Sequence, residues 1–286
     1  MPMQEVHFTI AAPYGEKQML ADARYLPNNT PKPVVLFVHG FKGFKDWGTW
    51  HLVANAFAEA GFVFVKANLS HNGTTPEHPT DFADLEAFGH NNFTIELDDI
   101  GAMIDRLCGP DSPLPATEAD TNHLYLVGHS RGGGLVLLKA YEDNRIKAVT
   151  TLASVSDFSN RYPEETLEYW RQQGVIYIPN SRTGQEMPLY YQFVEDYLRD
   201  PDRFDIPTAA NQLTIPLFVV HGTDDPTVPV YAAHELKQQQ PRARLLIIEG
   251  ADHTFGSKHP AQGDTLPPHT LQATEATIAF FKELGS

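Results

Sequence analysis

Four segments, VVLFVHG (34–40), FVFVKAN (62–68), HLYLVG (123–128) and PLFVVHG (216–222), are short apolar runs rich in β-branched and aromatic residues. Strands that do not alternate polar with apolar must be covered on both faces, which is the condition of a parallel sheet between helices. The stretches that follow have the length and apolar spacing of helices: WHLVANAFAEAG, TIELDDIGAMIDRLCG and GLVLLKAYED. KAVTTLAS and ARLLIIEG supply further strands, VYAAHELKQQ a further helix, and a last helix is predicted from about His269 to Leu284. Repeated strand–helix units imply an α/β fold, a mostly parallel central sheet flanked by helices with right-handed crossovers. Two earlier segments, EVHFTI and MLADARYL, joined by PYGEK, read as an antiparallel pair preceding it.

One stretch breaks the alternation. From Ser159 to Leu213 the chain is too long for an ordinary loop. It carries six of the eleven tyrosines (Tyr162, Tyr169, Tyr177, Tyr190, Tyr191, Tyr197), with Trp170, Phe193 and Phe204. Within it VIYIPNSRTGQEMPLYY reads as a β-hairpin around a polar turn. Residues 159–213 are therefore expected to form a small inserted cap on a single domain spanning 1–286, its aromatics shared between its own packing and a ligand.

The formal net charge of −15 opposes attraction to nucleic acid and to anionic lipid, so neither nucleic acid nor a membrane is expected as a partner. No segment is long and apolar enough to span a bilayer and the start lacks the pattern of a signal peptide, so a cytoplasmic location is the expectation. The lone cysteine, Cys108, is compatible with a reducing compartment and reads as a small residue at a helix end. Oligomeric state is not encoded legibly; a homodimer is left open.

Chemistry concentrates at LYLVGHSRGGG (124–134). Ser130 lies between Gly128 and Gly132, after a strand and before a helix, the setting that exposes a nucleophilic serine on a strained turn beside a helix N-terminus. The phosphate-loop pattern fails for want of a Lys-Ser/Thr pair, and the dinucleotide pattern G-x-G-x-x-G is out of register. A serine hydroxyl needs a base, and the base an orienting carboxylate. His253, after the last strand in LLIIEGADHTFG, is the expected base, with His259 as its rival. For the acid, HGTDDPTVPV offers Asp224 and Asp225, and Asp157 follows an earlier strand. The residues alone leave these open. Two backbone donors are needed for an oxyanion: the N–H of Arg131 and, from the loop HGFKGFKDWG, that of Phe41. Lys42 and Lys45 in that loop read as solvated charges, with recognition of an acidic substrate group as the alternative. His39 and His221 close strands in HG pairs and are expected to hold structural hydrogen bonds. No metal is expected, since HELKQ lacks the second histidine of H-E-x-x-H and no cysteine cluster exists, and no cofactor is called for.

Together HGFKG, GHSRGG, HGTDDPTVP and GADHTF resemble the α/β-hydrolase superfamily, over nearly all of 33–284. The chain looks most like bacterial cinnamoyl/feruloyl esterases and the related serine-aminopeptidase-like and dienelactone-hydrolase-like groups. The resemblance implies an acid four residues after the histidine of HG-x-x-D-x-x-VP, which is Asp225. It also implies a small cap that binds an aromatic acyl group. Dienelactone hydrolases proper carry cysteine where this chain has Ser130, so their specific activity is not implied. The expected function is hydrolysis of small to medium acyl or aromatic carboxylic esters, small-molecule substrates, through an acyl-enzyme on Ser130. The alternatives are a peptidase or amidase with the same triad, using a cap glutamate such as Glu164 or Glu165 to bind an α-amine, and a non-catalytic ligand-binding protein.

Overall fold

The computed structural model describes residues 2–159 and 162–285; residues 160 and 161 of the predicted insertion lie outside the described residues. In chain order the elements are β1 (Gln4–Ala11), β2 (Gln18–Tyr25), β3 (Lys32–Val38), α1 (Trp50–Glu59), β4 (Val63–Ala67), α2 (Leu85–Gly89) and α3 (Phe93–Cys108). They continue with β5 (Ala119–His129), α4 (Arg131–Glu142), β6 (Ile146–Leu152), α5 (Glu164–Gln173), β7 (Val175–Asn180), β8 (Gln185–Tyr190) and α6 (Gln192–Arg199). A 3-10 turn at Pro201–Phe204 leads to α7 (Ile206–Gln212), β9 (Leu217–Gly222), α8 (Tyr231–Gln239), β10 (Arg244–Ile248) and α9 (Pro268–Leu284).

Eight strands form one sheet in the order β1-β2-β4-β3-β5-β6-β9-β10. The pairs β1–β2 and β2–β4 are antiparallel, and the remaining pairs are parallel. The expected mostly parallel sheet is thus present, with its antiparallel strands at one edge. Successive residues of β3 divide between two cores, as a strand buried on both faces requires. Val34, Leu36 and Val38 face α3 and α4 with Leu97, Ile100, Ile104 and Leu135. Val35 and Phe37 face α1 and α9 with Phe57, Phe280 and Phe281. Each such side chain, fully buried, contributes roughly 1.5–3 kcal/mol relative to exposure.

The stretch 159–213 holds α5, the antiparallel hairpin β7–β8, α6, the 3-10 turn and α7. Its own packing centres on Trp170, wholly buried, whose Nε1 donates to the Leu189 carbonyl at 2.8 Å and whose ring meets Tyr162, Tyr191 and Phe193. The helices of this stretch are short: α5 has 10 residues, α6 has 8 and α7 has 7. Among the described residues, no helix is long and apolar enough to cross a membrane.

One correction concerns charge. Lys45, read as solvated, is buried: Nζ donates to Asp22 Oδ2 and Asp46 Oδ2, both at 2.5 Å. Lys66, on β4 opposite Asp22 of β2, is also buried and donates to Asp22 Oδ2 at 2.8 Å and to Asp46. Two lysines and two aspartates thus neutralise one another inside the fold, which makes burial of the lysines tolerable. The cluster also fixes the loop after β3, because Lys45 belongs to that loop and its backbone N–H donates to Asn68 Oδ1 at 2.7 Å.

Asp99 of α3 is buried, with Oδ2 accepting from the Ser70 N–H at 2.7 Å and Oδ1 unpartnered. Burial pushes its carboxyl up to about 7, against the Ser70 bonds that lower it. The folded state then binds an extra proton between the ordinary value of 3.8 and about pH 7, so stability falls as pH rises through that window. Two outcomes are expected in urea unfolding. Asp22→Ala, which strips both lysines of a buried partner, lowers the unfolding free energy by about 3–5 kcal/mol. Asp99→Asn is near neutral at pH 4 and stabilises by roughly 1–4 kcal/mol at pH 8; equal effects at the two pH values would contradict the assignment.

Candidate active site

Strand β5 ends at His129 and helix α4 begins at Arg131, with Ser130 alone between them at φ 57°, ψ −121°. A non-glycine residue in that conformation is strained by about 1–3 kcal/mol and persists only where its surroundings impose it. Here they do. A Cβ on Gly132 would lie 2.4 Å from the Val38 carbonyl oxygen, and one on Gly128 would lie 2.2 Å from that of Gly132. Helix α4 therefore presses directly on the ends of β3 and β5, and the turn has no room to relax. The Ser130 N–H is tied to the Leu152 carbonyl of β6 at 2.8 Å.

The ends of β9 and β10 bring in the partners. His253 Nε2 lies 3.0 Å from Ser130 Oγ, and His253 Nδ1 lies 2.7 Å from Asp225 Oδ2. With Nδ1–H donating to the carboxylate, Nε2 is left to accept the Ser130 proton. Asp225 is buried, and its Oδ1 accepts from the N–H groups of Thr227 and Val228, each at 2.8 Å. Burial alone would raise its pKa; hydrogen bonds from His221, His253 and Val228 outweigh it and hold the carboxyl well below the usual carboxylate range.

The rivals fall elsewhere. Asp224 is exposed and accepts from Thr223 Oγ1 at 2.8 Å. Asp157 is exposed and closes a turn onto Ser159. His259 accepts from the Gly48 N–H at 3.0 Å and stacks on Trp47. Glu164 and Glu165, candidates for an α-amine, border a hollow with Leu167 and Arg171 and do not line the cavity that holds Ser130.

Gly40 stands against the serine, since a Cβ there would come within 2.9 Å of Ser130 Cβ. The following N–H, that of Phe41, and the N–H of Arg131 have no acceptor among the described residues. His39 and His221 hold structural bonds as expected: the Leu69 N–H donates to His39 Nε2 at 3.2 Å, and His221 Nε2 donates to the Val228 carbonyl at 2.8 Å, 3.3 Å from Asp225 Oδ2. Sequence reasoning did not single out His129. Its Nε2 donates to the His253 carbonyl at 2.8 Å, and burial, then the neighbouring His253, lowers its pKa to about 3, so it stays neutral. Its place beside Ser130 in GHS was the available signal.

Two cavities meet at Phe41. One of about 130 Å³ is lined by Ser130, His253, Lys42, Trp47 and Trp50 among others. The other, about 560 Å³, is lined by Phe41, Arg131, Val155, Tyr162, Leu189 and Phe193, with Ser156, Asp157 and Glu235 among its polar residues. Lys42 is half-buried, its Nζ 3.3 Å from the Pro179 carbonyl of the hairpin. Glu5, His7 and Asp22 bring ligand atoms within 4.8 Å of one another on β1 and β2. Arg24 already holds Glu5, and Lys45 and Lys66 hold Asp22, so a divalent ion would enter against three cations.

The model of the alpha/beta hydrolase family matches residues 35–263, which takes in the strand ends that carry all of these groups. The chain belongs to the alpha/beta hydrolase family. It is similar, at 26% identity over 266 residues, to a probable isoprenylcysteine alpha-carbonyl methylesterase of Oryza sativa subsp. japonica, covering 84% of this chain and 56% of that protein, so it spans little more than half of that relative. It is similar, at 25% identity over 257 residues, to the non-heme chloroperoxidase CPO-A1 of Kitasatospora aureofaciens, covering 78% of this chain and 85% of that protein. Among solved structures, Est1E from Butyrivibrio proteoclasticus with ferulic acid bound shares the fold at TM-score 0.71 and 20% identity, covering 96% of this chain and 98% of that one. The dienelactone hydrolase from Anabaena variabilis ATCC 29413 does so at TM-score 0.63 and 18% identity, covering 98% of each chain.

The packing at the turn makes one expectation specific to this hydrolase. Gly132→Ala, which sets a methyl against two carbonyl oxygens of β3 and its loop (2.4 and 2.5 Å), should lower stability by about 3 kcal/mol or more in denaturant unfolding. A loss below 1 kcal/mol would show that α4 and β3 can separate.

Proposed function

We propose that this alpha/beta hydrolase family member cleaves carboxylic esters of small or medium acyl or aromatic acids through a covalent intermediate on Ser130. The observation that carries the reading is the continuous hydrogen-bonded line from Ser130 Oγ through His253 to Asp225, at 3.0 and 2.7 Å. Ser130 Oγ attacks the ester carbonyl while His253 Nε2 takes its proton, and Asp225, ionised, stabilises the imidazolium. The N–H groups of Phe41 and Arg131 receive the oxyanion. Collapse expels the alcohol, which leaves with the proton from His253. Water then attacks the acyl-enzyme by the same route and frees the acid. In this reading the segment 159–213 is a cap, supported by Tyr162, Leu189 and Phe193 on the wall of the larger cavity. The methylesterase among its relatives supports the ester reading, and the glutamates that an amide reading relies on line a separate hollow.

With p-nitrophenyl butyrate, Ser130→Ala should lower kcat by about 10⁴-fold or more, with the fold retained by circular dichroism. Asp225→Asn should cost several orders of magnitude and Asp224→Asn less than about threefold. Full turnover by folded Ser130→Ala overturns the reading, and equal losses at 224 and 225 overturn the assignment of the acid.

A further inference from the structure

Arg131 contributes a backbone N–H to the site, but its side chain is the unusual part. The residue is 4% exposed, yet of five guanidinium donors only Nε is matched, to Glu96 Oε2 at 2.8 Å. Among the described residues, Nη2 is buried without a partner and no acceptor is paired with Nη1. Aromatic rings crowd the group: the guanidinium carbon sits 4.6, 4.9 and 5.4 Å from the ring centres of Phe93, Phe193 and Phe41. Phenylalanine rings offer a guanidinium no oxygen or nitrogen acceptor, so the free donors can gain a partner only from elsewhere, and Arg131 lines the larger cavity. Buried donors are rarely left unmatched unless something else supplies the acceptor.

We propose that this guanidinium is the polar anchor of the acyl-binding cavity, accepting an acyl chain that carries a neutral oxygen acceptor, a keto or ether oxygen. The inference rests on the ester-hydrolase reading above. Charge argues for neutral over anionic. Glu96, itself buried and held by Asn91 Nδ2 at 2.8 Å, already balances Arg131, while Asp157 and Glu235 line the same cavity. A substrate carboxylate would add a further negative group to that set.

The test compares kcat/KM for p-nitrophenyl pentanoate and hexanoate with their 4-oxopentanoate and 5-oxohexanoate counterparts, and with mono-p-nitrophenyl glutarate, each divided by its rate with hydroxide. The wild type should favour at least one oxo ester by about tenfold or more, the size expected of a hydrogen bond to a charged donor, and should not favour the glutarate. Arg131→Met/Glu96→Gln, which removes donor and counter-charge together, should bring the oxo ratios to about one. Glu96→Gln alone should keep the oxo preference and raise the glutarate relative to pentanoate. Flat oxo ratios in the wild type, or ratios preserved in the double variant, overturn the proposal while leaving ester hydrolysis standing. Where the double variant does not fold, an unmoved glutarate ratio in Glu96→Gln overturns it. Absence of Ser130-dependent turnover with every ester overturns the hydrolase reading and this inference with it.

Discussion

The close approach of helix α4 to the ends of β3 and β5 is the constraint on which the site depends. Because Gly128 and Gly132 offer backbone where side chains would collide, the chain turns from strand to helix in one residue, and Ser130 is forced to positive φ. The same contact brings Gly40, the residue before Phe41, against the serine. The helix N-terminus adds unpaired N–H groups whose partial charge suits a developing anion. With the turn fixed, parallel strands β9 and β10 need only end at the same level to deliver Asp225 and His253.

Electrostatics around this turn divide into one anion and several neutral imidazoles. Asp225 stays ionised because two histidines and two backbone N–H groups point at it. His39 and His129 are kept neutral by burial, lowered to about 4 and about 3, so they act through hydrogen bonds and add no charge against His253. Farther out, the quartet Asp22, Lys45, Asp46 and Lys66 anchors the loop that carries Phe41 to the antiparallel edge of the sheet. Stability at that edge and the position of the Phe41 loop are thereby linked through both lysines.

Much of this was legible in the sequence, for physical reasons. Continuous apolar runs announce strands covered on both faces, and each of the four that mark the parallel sheet is found there as β3, β4, β5 or β9. GHSRGG and GADHTF offered Ser130 and His253, and the family resemblance, not the residues alone, singled out Asp225 in HGTDD; the structure brings the three into contact, and the alternatives Asp157, Asp224 and His259 lie apart. What escaped were features decided by tertiary packing. Nothing local marks Lys45 as buried, because Asp22, which accepts from its Nζ, comes from β2, and Lys66, which shares Asp22 and Asp46 with it, comes from β4. The helices of 159–213 span only 7 to 10 residues each and so read from sequence as parts of an irregular insertion, and Arg131 reads as a motif residue until Glu96 and three phenylalanine rings are placed around it.

The central claim is that Ser130 is the nucleophile, and covalent labelling tests it most directly. After exposure to a fluorophosphonate, peptide mapping by mass spectrometry should find one phosphonyl adduct, on the peptide holding Ser130, with labelling slowed severely in His253→Ala. An unlabelled native protein, or an adduct on another residue with Ser130 unmodified, would contradict the claim.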